Sequence, residues 1–268
     1  MQGAGNDFVV VDARAGIAPD PELAVRLADR HYGVGCDQVM IVLSPREAGS
    51  VAAYAVVNAD GSSARQCGNG ARCVAAWLHR DGAFVDAAVL DGPSGAVAVR
   101  RSDQGEFELD LAVPDFEPAA LPVLGARQAA DGLHLNVADL ELAFGAVAIG
   151  NPHVVIEVAD VVDAPVDLAF ALQAHPAFPE GCNVGFAQVL APDLLRLRVI
   201  ERGVGETLAC GSGACAAHAW LRRSGRIGPD TRVELPGGTL GVRWNGEPGE
   251  PVRLRGPAVF VFEGELWP

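Results

Sequence analysis

The chain has 268 residues, enough for two domains of roughly 100 to 150 residues each, and its 50% hydrophobic content can fill two cores. The formal net charge of -14 argues against nucleic acid or an anionic membrane surface as a partner, because either would repel the protein. All 20 basic residues are arginine, which excludes a pyridoxal phosphate Schiff base and a Walker-type phosphate loop, since both need a lysine. Without a basic and apolar leader or a run of about 18 apolar residues, we expect a cytoplasmic protein.

The first half of the chain predicts short strands and two helices. Short, mostly apolar and β-branched runs predict strands at 8–12, 38–43, 51–58, 87–90, 96–100 and 107–111. Asp20-Pro21-Glu22 begins a helix that reaches about Arg30, with proline in the first turn. A second helix, 71–80, ends near a glycine. Three prolines at 114, 118 and 122 in a segment without periodicity predict the crossover to a second domain.

The second half predicts the same order of elements. Strands are expected at 143–149, 154–158, 194–200, 232–235, 240–244, 252–254 and 259–262, and helices at 167–173 and 214–223. We therefore predict an α+β fold of two pseudo-symmetric domains, 1–115 and 116–256, with a last strand at about 257–268 packing back onto the first domain. Each domain is expected to be a twisted, barrel-like, mostly antiparallel sheet wrapped around a central helix, with the active site in the cleft between the domains.

Two cysteine loops carry the internal repeat: Cys67-Gly68-Asn69-Gly70-Ala71 (the Cys67 loop) and Cys210-Gly211-Ser212-Gly213-Ala214 (the Cys210 loop). Aligned at an offset of 143, residues 67–82 and 210–225 are identical at nine of sixteen positions, where unrelated segments would share about one or two. Each loop precedes a helical segment, so each cysteine is expected at a helix N-terminus. The unpaired N–H groups there favour an anion and can lower a thiol pKa.

Paired cysteines admit two interpretations: a redox disulfide, or an acid and a base on opposite faces of one substrate carbon. The repeat favours the second, because inverting a stereocentre needs equivalent groups on both faces. Glycines in the loops let backbone N–H groups approach a substrate carboxylate. The cysteine spacing disfavours a zinc site, and a dinucleotide turn is disfavoured because no convincing acidic residue follows about 20 positions on. The other cysteines are expected to be small buried side chains, at 36, 73, 182 and 215.

These residues resemble the diaminopimelate epimerase family of cofactor-independent amino-acid epimerases. The resemblance covers nearly the whole chain and is carried by these segments: Gly-Ala-Gly-Asn-Asp-Phe at 3–8, Gly-Cys-Asp-Gln at 35–38, Asn-Ala-Asp-Gly-Ser at 58–62, Gln-Cys-Gly-Asn-Gly-Ala-Arg-Cys at 66–73, Gly-Asn-Pro-His at 150–153 and Glu-Arg-Gly-Val-Gly-Glu-Thr-Leu-Ala-Cys-Gly-Ser-Gly-Ala-Cys at 201–215.

The resemblance implies a cytoplasmic homodimer without metal or cofactor that interconverts LL- and meso-diaminopimelate. It implies that Cys67 and Cys210 are the catalytic acid and base. The residues implied to bind the substrate are Asn6, Gln38, Asn58, Gly68, Asn69, Asn151, Asn183, Glu201, Arg202, Gly211 and Ser212. His153 and Glu206 are expected to support the site. A substrate with two carboxylates and two ammonium groups suits such a set of an acid, a guanidinium and amides.

The chain departs from the family pattern twice: only Met1 and Gln2 precede the first motif, and Ser63 stands where the family usually carries glutamate. Two other functions stay open. A proline or histidine racemase would use the same cysteines but would not need Glu201 and Arg202. A binding or redox protein would keep its ligand-dependent activity with serine at either cysteine.

Overall fold

A computed structural model describes residues 1–16, 19–138 and 140–265. The chain forms two compact units: Met1–Asp110 together with the segment from Arg255 onward, and Leu111–Leu254. No helix in the described ranges is long and apolar enough to cross a membrane. Strands outnumber helices in both units, which confirms the predicted α+β class. Among the described strand pairs, antiparallel pairs outnumber parallel ones, which confirms the predicted mostly antiparallel character. The sheets of the described residues are open, so they do not close into the predicted barrel-like form.

The first unit contains the strands β1 Gln2–Gly3, β2 Asn6–Asp12, β3 Gln38–Leu43, β4 Ala52–Asn58, β5 Ala87–Gly92, β6 Gly95–Arg101 and β7 Phe107–Ala112, the last of which runs across its boundary. Its helices are α1 Pro21–Ala28 and α2 Gly68–Arg80. β2 is parallel to β3, β3 antiparallel to β4, β4 parallel to β5, and β5 antiparallel to β6. Strand β3 therefore has a partner on each side.

The second unit repeats this pairing order. Its strands are β8 Arg127–Ala129, β9 Gly132–Val137, β10 Leu140–Ala148, β11 Pro152–Glu157, β12 Asn183–Ala191, β13 Leu194–Glu201, β14 Gly205–Thr207, β15 Asp230–Leu235, β16 Gly238–Arg243 and β17 Val252–Gly256, the last of which crosses the boundary back to the first unit, and its helices are α3 Val166–Gln173 and α4 Gly211–Arg223. β11 is parallel to β12, β12 antiparallel to β13, β13 parallel to β15, and β15 antiparallel to β16. The predicted internal repeat is thus a repeat of topology.

Strand β3 shows why the first unit has a helix on each face of its sheet. Successive side chains of a strand point to opposite faces. Met40 and Val42 pack with the buried residues of α2, whereas Val39 and Ile41 pack with those of α1. Burying one such side chain stabilises the fold by about 1.5–3 kcal/mol. Because both faces are covered, the strand reads as one continuous apolar run, which is why the sequence located it without ambiguity.

The strand predictions failed mainly where the local preference of the residues for a strand disagrees with the pairing of strands in the fold. Residues 259–262 are not a strand: in the described residues, only Val259 forms a bridge, with Gln2, through N–H to O distances of 2.9 and 2.8 Å. Strand β12 was missed because Gly185 and Gln188 interrupt its apolar pattern. A β-branched run forms a strand only where a neighbouring strand accepts its hydrogen bonds.

Candidate functional site

Both cysteines are the N-cap residues of the two central helices, which confirms their predicted position. The sulfur of Cys67 accepts a hydrogen bond from Gly70 N at 3.3 Å at the start of α2. The sulfur of Cys210 accepts one from Gly213 N, also at 3.3 Å, at the start of α4. A side-chain acceptor in this position satisfies one of the unpaired N–H groups of the first turn. Each sulfur therefore lies in the positive field of a helix N-terminus.

The space around these first turns requires glycine. A Cβ at Gly70 would lie 2.5 Å from the sulfur of Met40 and 3.1 Å from the ring of Phe8. A Cβ at Gly213 would lie 3.0 Å from Val199. Because glycine has no Cβ, the first turn of each helix packs directly against the sheet. Backbone N–H groups of that turn then hold the sulfur in place.

A row of amide side chains leads away from Cys67. Its sulfur lies 3.9 Å from Oδ1 of Asn6, which also accepts from Nδ2 of Asn69 at 3.4 Å. Nδ2 of Asn6 donates to Asp37 at 2.7 Å. At the inner end, the buried guanidinium of Arg72 donates to Oδ1 of Asn69 at 2.8 Å. Gly68 is buried in the same first turn.

Gln38 and Asn58 form a second group of amides in the first unit. They are paired residues of β3 and β4, and Nε2 of Gln38 donates to Oδ1 of Asn58 at 2.8 Å. Nδ2 of Asn58 in turn donates to the hydroxyl of Ser62 at 2.9 Å. Ser63, where the resemblance predicts glutamate, is exposed and bridges to Val57. Gln38 and Asn58 thus hold each other at adjacent strand ends.

The Cys210 loop is supported by a histidine instead. Nε2 of His153 lies 3.0 Å from Oδ1 of Asn151 and 3.0 Å from the hydroxyl of Ser212. The Ser212 hydroxyl lies 3.5 Å from the sulfur of Cys210. Burial lowers the pKa of His153 to about 3, so the ring is neutral at physiological pH. An amide oxygen only accepts hydrogen bonds, so the contact with Asn151 requires the ring proton on Nε2.

Opposing effects act on the Cys210 thiol. Burial raises its pKa, and the carboxylate of Glu201 raises it further, both by its charge and by accepting a hydrogen bond. The hydroxyl of Ser212 and the N–H of Gly213 lower the pKa by donating to the sulfur. The neutral thiol is therefore the favoured form of Cys210 in this unit.

The other predicted residues of the second unit have mainly structural contacts. Nδ2 of the buried Asn183 donates to the carbonyl of Pro152 at 3.1 Å, and its Oδ1 accepts from the backbone N–H of Arg202 at 3.0 Å. The side chain of Arg202 donates to the carbonyl of Glu180. Gly211 is buried in the first turn of α4. Asn183 therefore joins the ends of neighbouring strands.

Glu206, predicted to support the Cys210 loop, lies on β14 in an exposed ion pair with Arg198. Its two carboxylate oxygens accept from Nε and Nη2 of Arg198 at 2.7 and 3.0 Å. That hydrogen bond to the guanidinium lowers the pKa of Glu206. The carboxylate that acts on Cys210 is instead Glu201, which accepts from the hydroxyl of Thr207 at 2.7 Å. Glu206 can support the loop only through the β13–β14 hairpin.

The diaminopimelate epimerase family model matches residues 1–113 and 145–261. The chain belongs to the diaminopimelate epimerase family. A diaminopimelate epimerase of Xanthomonas euvesicatoria pv. vesicatoria is 56% identical over 268 residues, covering 99% of this chain and 94% of that protein. One of Xylella fastidiosa strain M12 is 55% identical over 271 residues, covering 100% and 94%.

Solved structures outside the diaminopimelate epimerase family share the fold. A hydroxyproline epimerase from Agrobacterium vitis superposes with a TM-score of 0.66 at 16% identity, covering 95% of this chain and 87% of its own. A PhzF-family phenazine biosynthesis protein from Bacillus anthracis gives a TM-score of 0.65 at 15% identity, covering 96% and 91%. At such identities the likeness concerns the fold alone.

The sequence did not single out Arg72 or Asp37, which end the row of amides at Cys67. Both lie inside segments that carry the resemblance to diaminopimelate epimerases, 66–73 and 35–38. The repeat could have indicated Arg72, because residues 67–82 and 210–225 differ at this position. Arg72 aligns there with Cys215. A charged residue opposite a small apolar one marks a place where the two halves are not equivalent.

Glu201 and Glu206 can be separated experimentally. Glu201→Gln removes the negative charge beside the thiol, so alkylation of Cys210 by iodoacetamide at pH 8 is expected to accelerate about tenfold. Glu206→Gln breaks an exposed ion pair worth about 0–1 kcal/mol and should leave that rate within about twofold. Rates are measured by mass spectrometry of the Cys210 peptide. Equal effects of the two variants would show that the assignment is wrong.

The buried, neutral His153 predicts acid sensitivity. Its pKa is about 3 in the folded protein and about 6.5 when unfolded. Between these two pKa values the unfolded chain binds more protons at His153 than the folded protein does. The buried neutral ring therefore costs no stability above about pH 6.5, and the free energy of unfolding falls as the pH drops toward 3. We expect His153→Gln to remove about 2 kcal/mol of the loss between pH 7 and 4.5 in urea titrations. The exposed His31→Gln is the control and should leave the slope unchanged.

Proposed function

We propose that this chain interconverts LL- and meso-diaminopimelate by proton transfer at Cα, without metal or cofactor, in the synthesis of lysine and peptidoglycan precursors. The observation that carries the proposal is the pair of cysteine N-caps in a chain whose 55–56% identical relatives are named diaminopimelate epimerases. Both repeats supply the same kind of proton carrier, as inversion of one stereocentre requires.

In the proposed reaction, one cysteine is a thiolate and the other a thiol. The thiolate takes the Cα proton, and the electron pair of the C–H bond passes into the adjacent carboxylate. The other thiol then gives its proton to the opposite face of the same carbon. The first sulfur ends as a thiol and the second as a thiolate, so protons and charge balance, and the reverse direction exchanges the roles of Cys67 and Cys210.

The loops supply the stabilisation that this step needs. Charge accumulates on the substrate carboxylate as the carbanion forms. N–H groups and helix N-termini that are already oriented stabilise such charge without reorganising. We assign this role to Gly68, Asn69, Gly211 and Ser212. The remaining proposed substrate contacts are Asn6, Gln38, Asn58, Asn151, Asn183, Glu201 and Arg202. His153 supports the Cys210 loop through Ser212, and Glu206 supports it through the β13–β14 hairpin.

The proposal is tested by incubating the protein with LL-diaminopimelate in deuterated water without added cofactor. We expect deuterium at Cα together with the meso isomer, measured by NMR and chiral chromatography. Exchange and epimerisation of proline or hydroxyproline, with diaminopimelate inert, would instead place the chain among racemases of other amino acids. Absence of exchange with every amino acid tested would contradict the proposal.

We also propose that the enzyme is a cytoplasmic homodimer. The family resemblance supports the homodimer. The proposed role in amino-acid biosynthesis supports the cytoplasmic location. Light scattering after size exclusion should give about twice the chain mass of 27.8 kDa, and a single-chain mass at micromolar concentration would contradict this state.

A further inference from the structure

The two cysteine loops differ in the buried residue that directly follows each of them in the sequence. Arg72 and Cys215 occupy the same position in the repeat, and both are completely buried. Arg72 is among the largest fully buried side chains of the described residues. Burying a guanidinium is unfavourable unless its N–H groups are hydrogen-bonded, so a role in its surroundings is expected.

The contacts of Arg72 determine how Asn69 is oriented. Its Nη2 donates to Oδ1 of Asn69 at 2.8 Å, and Nη1 donates to the carbonyl of Gly68 at 3.5 Å. A guanidinium has donors and no acceptor, so Asn69 must turn its oxygen toward Arg72. Its NH₂ group then points the other way, to Oδ1 of Asn6 at 3.4 Å.

Asp37 fixes the other end of the row. A carboxylate only accepts, so Nδ2 of Asn6 must face Asp37, at 2.7 Å. Arg30 donates to the second oxygen of Asp37 at 2.8 Å. With a donor at one end and an acceptor at the other, both amides have one allowed orientation. Oδ1 of Asn6 is thereby directed toward the sulfur of Cys67, at 3.9 Å.

We propose that Arg72 is a positioning residue for the Cys67 loop: by holding Asn69, and through it Asn6, it fixes which amide atoms face the sulfur and the substrate carboxylate. Its catalytic consequence rests on the proposed function. The Cys210 loop achieves the corresponding order with the neutral His153 and Ser212. Arg72 therefore acts on one of the two sulfurs only.

The first test needs no substrate. Arg72→Met, Arg72→Lys and the control Cys215→Ala are alkylated with iodoacetamide at pH 8, and modification of the Cys67 and Cys210 peptides is followed by mass spectrometry. Arg72→Met is expected to slow alkylation of Cys67 about fivefold, since a buried positive charge is lost, with Cys210 within about twofold. Arg72→Lys keeps a cationic donor and should restore most of the rate at Cys67. Cys215→Ala should change neither rate.

The second test asks whether Arg72 acts through Asn69. We expect kcat for diaminopimelate to fall about 30-fold in Arg72→Met, with KM changed less than about threefold, and the Asn69→Ala/Arg72→Met double variant to lose little more than Asn69→Ala alone. Multiplicative losses, equal changes at both cysteines, or a lysine variant as impaired as the methionine variant would overturn the proposal. Where Arg72→Met does not fold, Arg72→Gln replaces it in both tests, alone and paired with Asn69→Ala. Because alkylation is measured without substrate, failure of the proposed function leaves that result readable.

Discussion

Replacing either Cys67 or Cys210 by serine is expected to lower kcat for diaminopimelate epimerisation by about 10³-fold, because proton transfer by a positioned acid or base contributes 10²–10⁴-fold. A serine hydroxyl is a far weaker acid than a thiol and does not supply an anion at neutral pH. It is nearly the same size, so it can still accept the hydrogen bond from Gly70 or Gly213 and preserve the helix start. Rates are measured by circular dichroism or coupled assay, and folding by urea titration.

Cysteines that lie outside the loops provide the controls. Burial raises the pKa of Cys73 to about 12 and that of Cys182 to about 12, so neither is a thiolate at neutral pH. Cys73→Ala and Cys182→Ala should keep kcat within about threefold while losing about 1 kcal/mol of stability. Retention of a tenth of the epimerase activity in either Cys67→Ser or Cys210→Ser would contradict the two-base reaction.

Gly145→Ala is expected to destabilise the second unit by about 3 kcal/mol, the upper range for overpacking a core. A Cβ at this position of β10 would lie 2.2–2.4 Å from three ring atoms of Trp220. A rigid indole cannot move aside as a flexible side chain can, and Trp220 belongs to α4, whose first residues follow Cys210. The substitution should therefore lower the urea midpoint and reduce activity together.

A matched glycine tests whether the effect is specific. A Cβ at Gly228, in the same unit, would meet only the carbonyl of Pro192 at 3.4 Å, an ordinary contact. Gly228→Ala is expected to change the free energy of unfolding by less than about 0.5 kcal/mol. Adding Trp220→Leu to Gly145→Ala should recover part of the loss by making room. A Gly145→Ala protein as stable as the parent would show that the sheet and α4 can separate.

Features determined by neighbours in sequence were predictable. The cysteine N-caps follow from a small polarizable acceptor before a helical segment, and β3 follows from an apolar run bounded by polar residues. The α+β class followed from many short strands and few helices. The site roles and the homodimer rest on resemblance, and the domain bounds on the proline-rich crossover; all three stay predictions.

Features determined by pairing were not predictable. Glu201 and Glu206 are five residues apart, and only the fold-back of β14 on β13 decides that one acts on Cys210 while the other meets Arg198. Likewise, a helical arginine is expected on the surface, and only the packing of α2 inside its unit shows that Arg72 is buried. Sequence patterns predict which face of a helix is buried more readily than they predict which residue a charged side chain contacts.

The charge on each N-cap sulfur also affects the NMR signal of the backbone amide that donates to it. Each turnover changes the proton on Cys67 and on Cys210, and the amides of Gly70 and Gly213 donate directly to those atoms. Their ¹H and ¹⁵N chemical shifts should move in opposite directions when the equilibrium is driven toward one isomer. Two glycine amides thus provide a native spectroscopic readout of which half of the molecule holds the proton, without a label on either thiol.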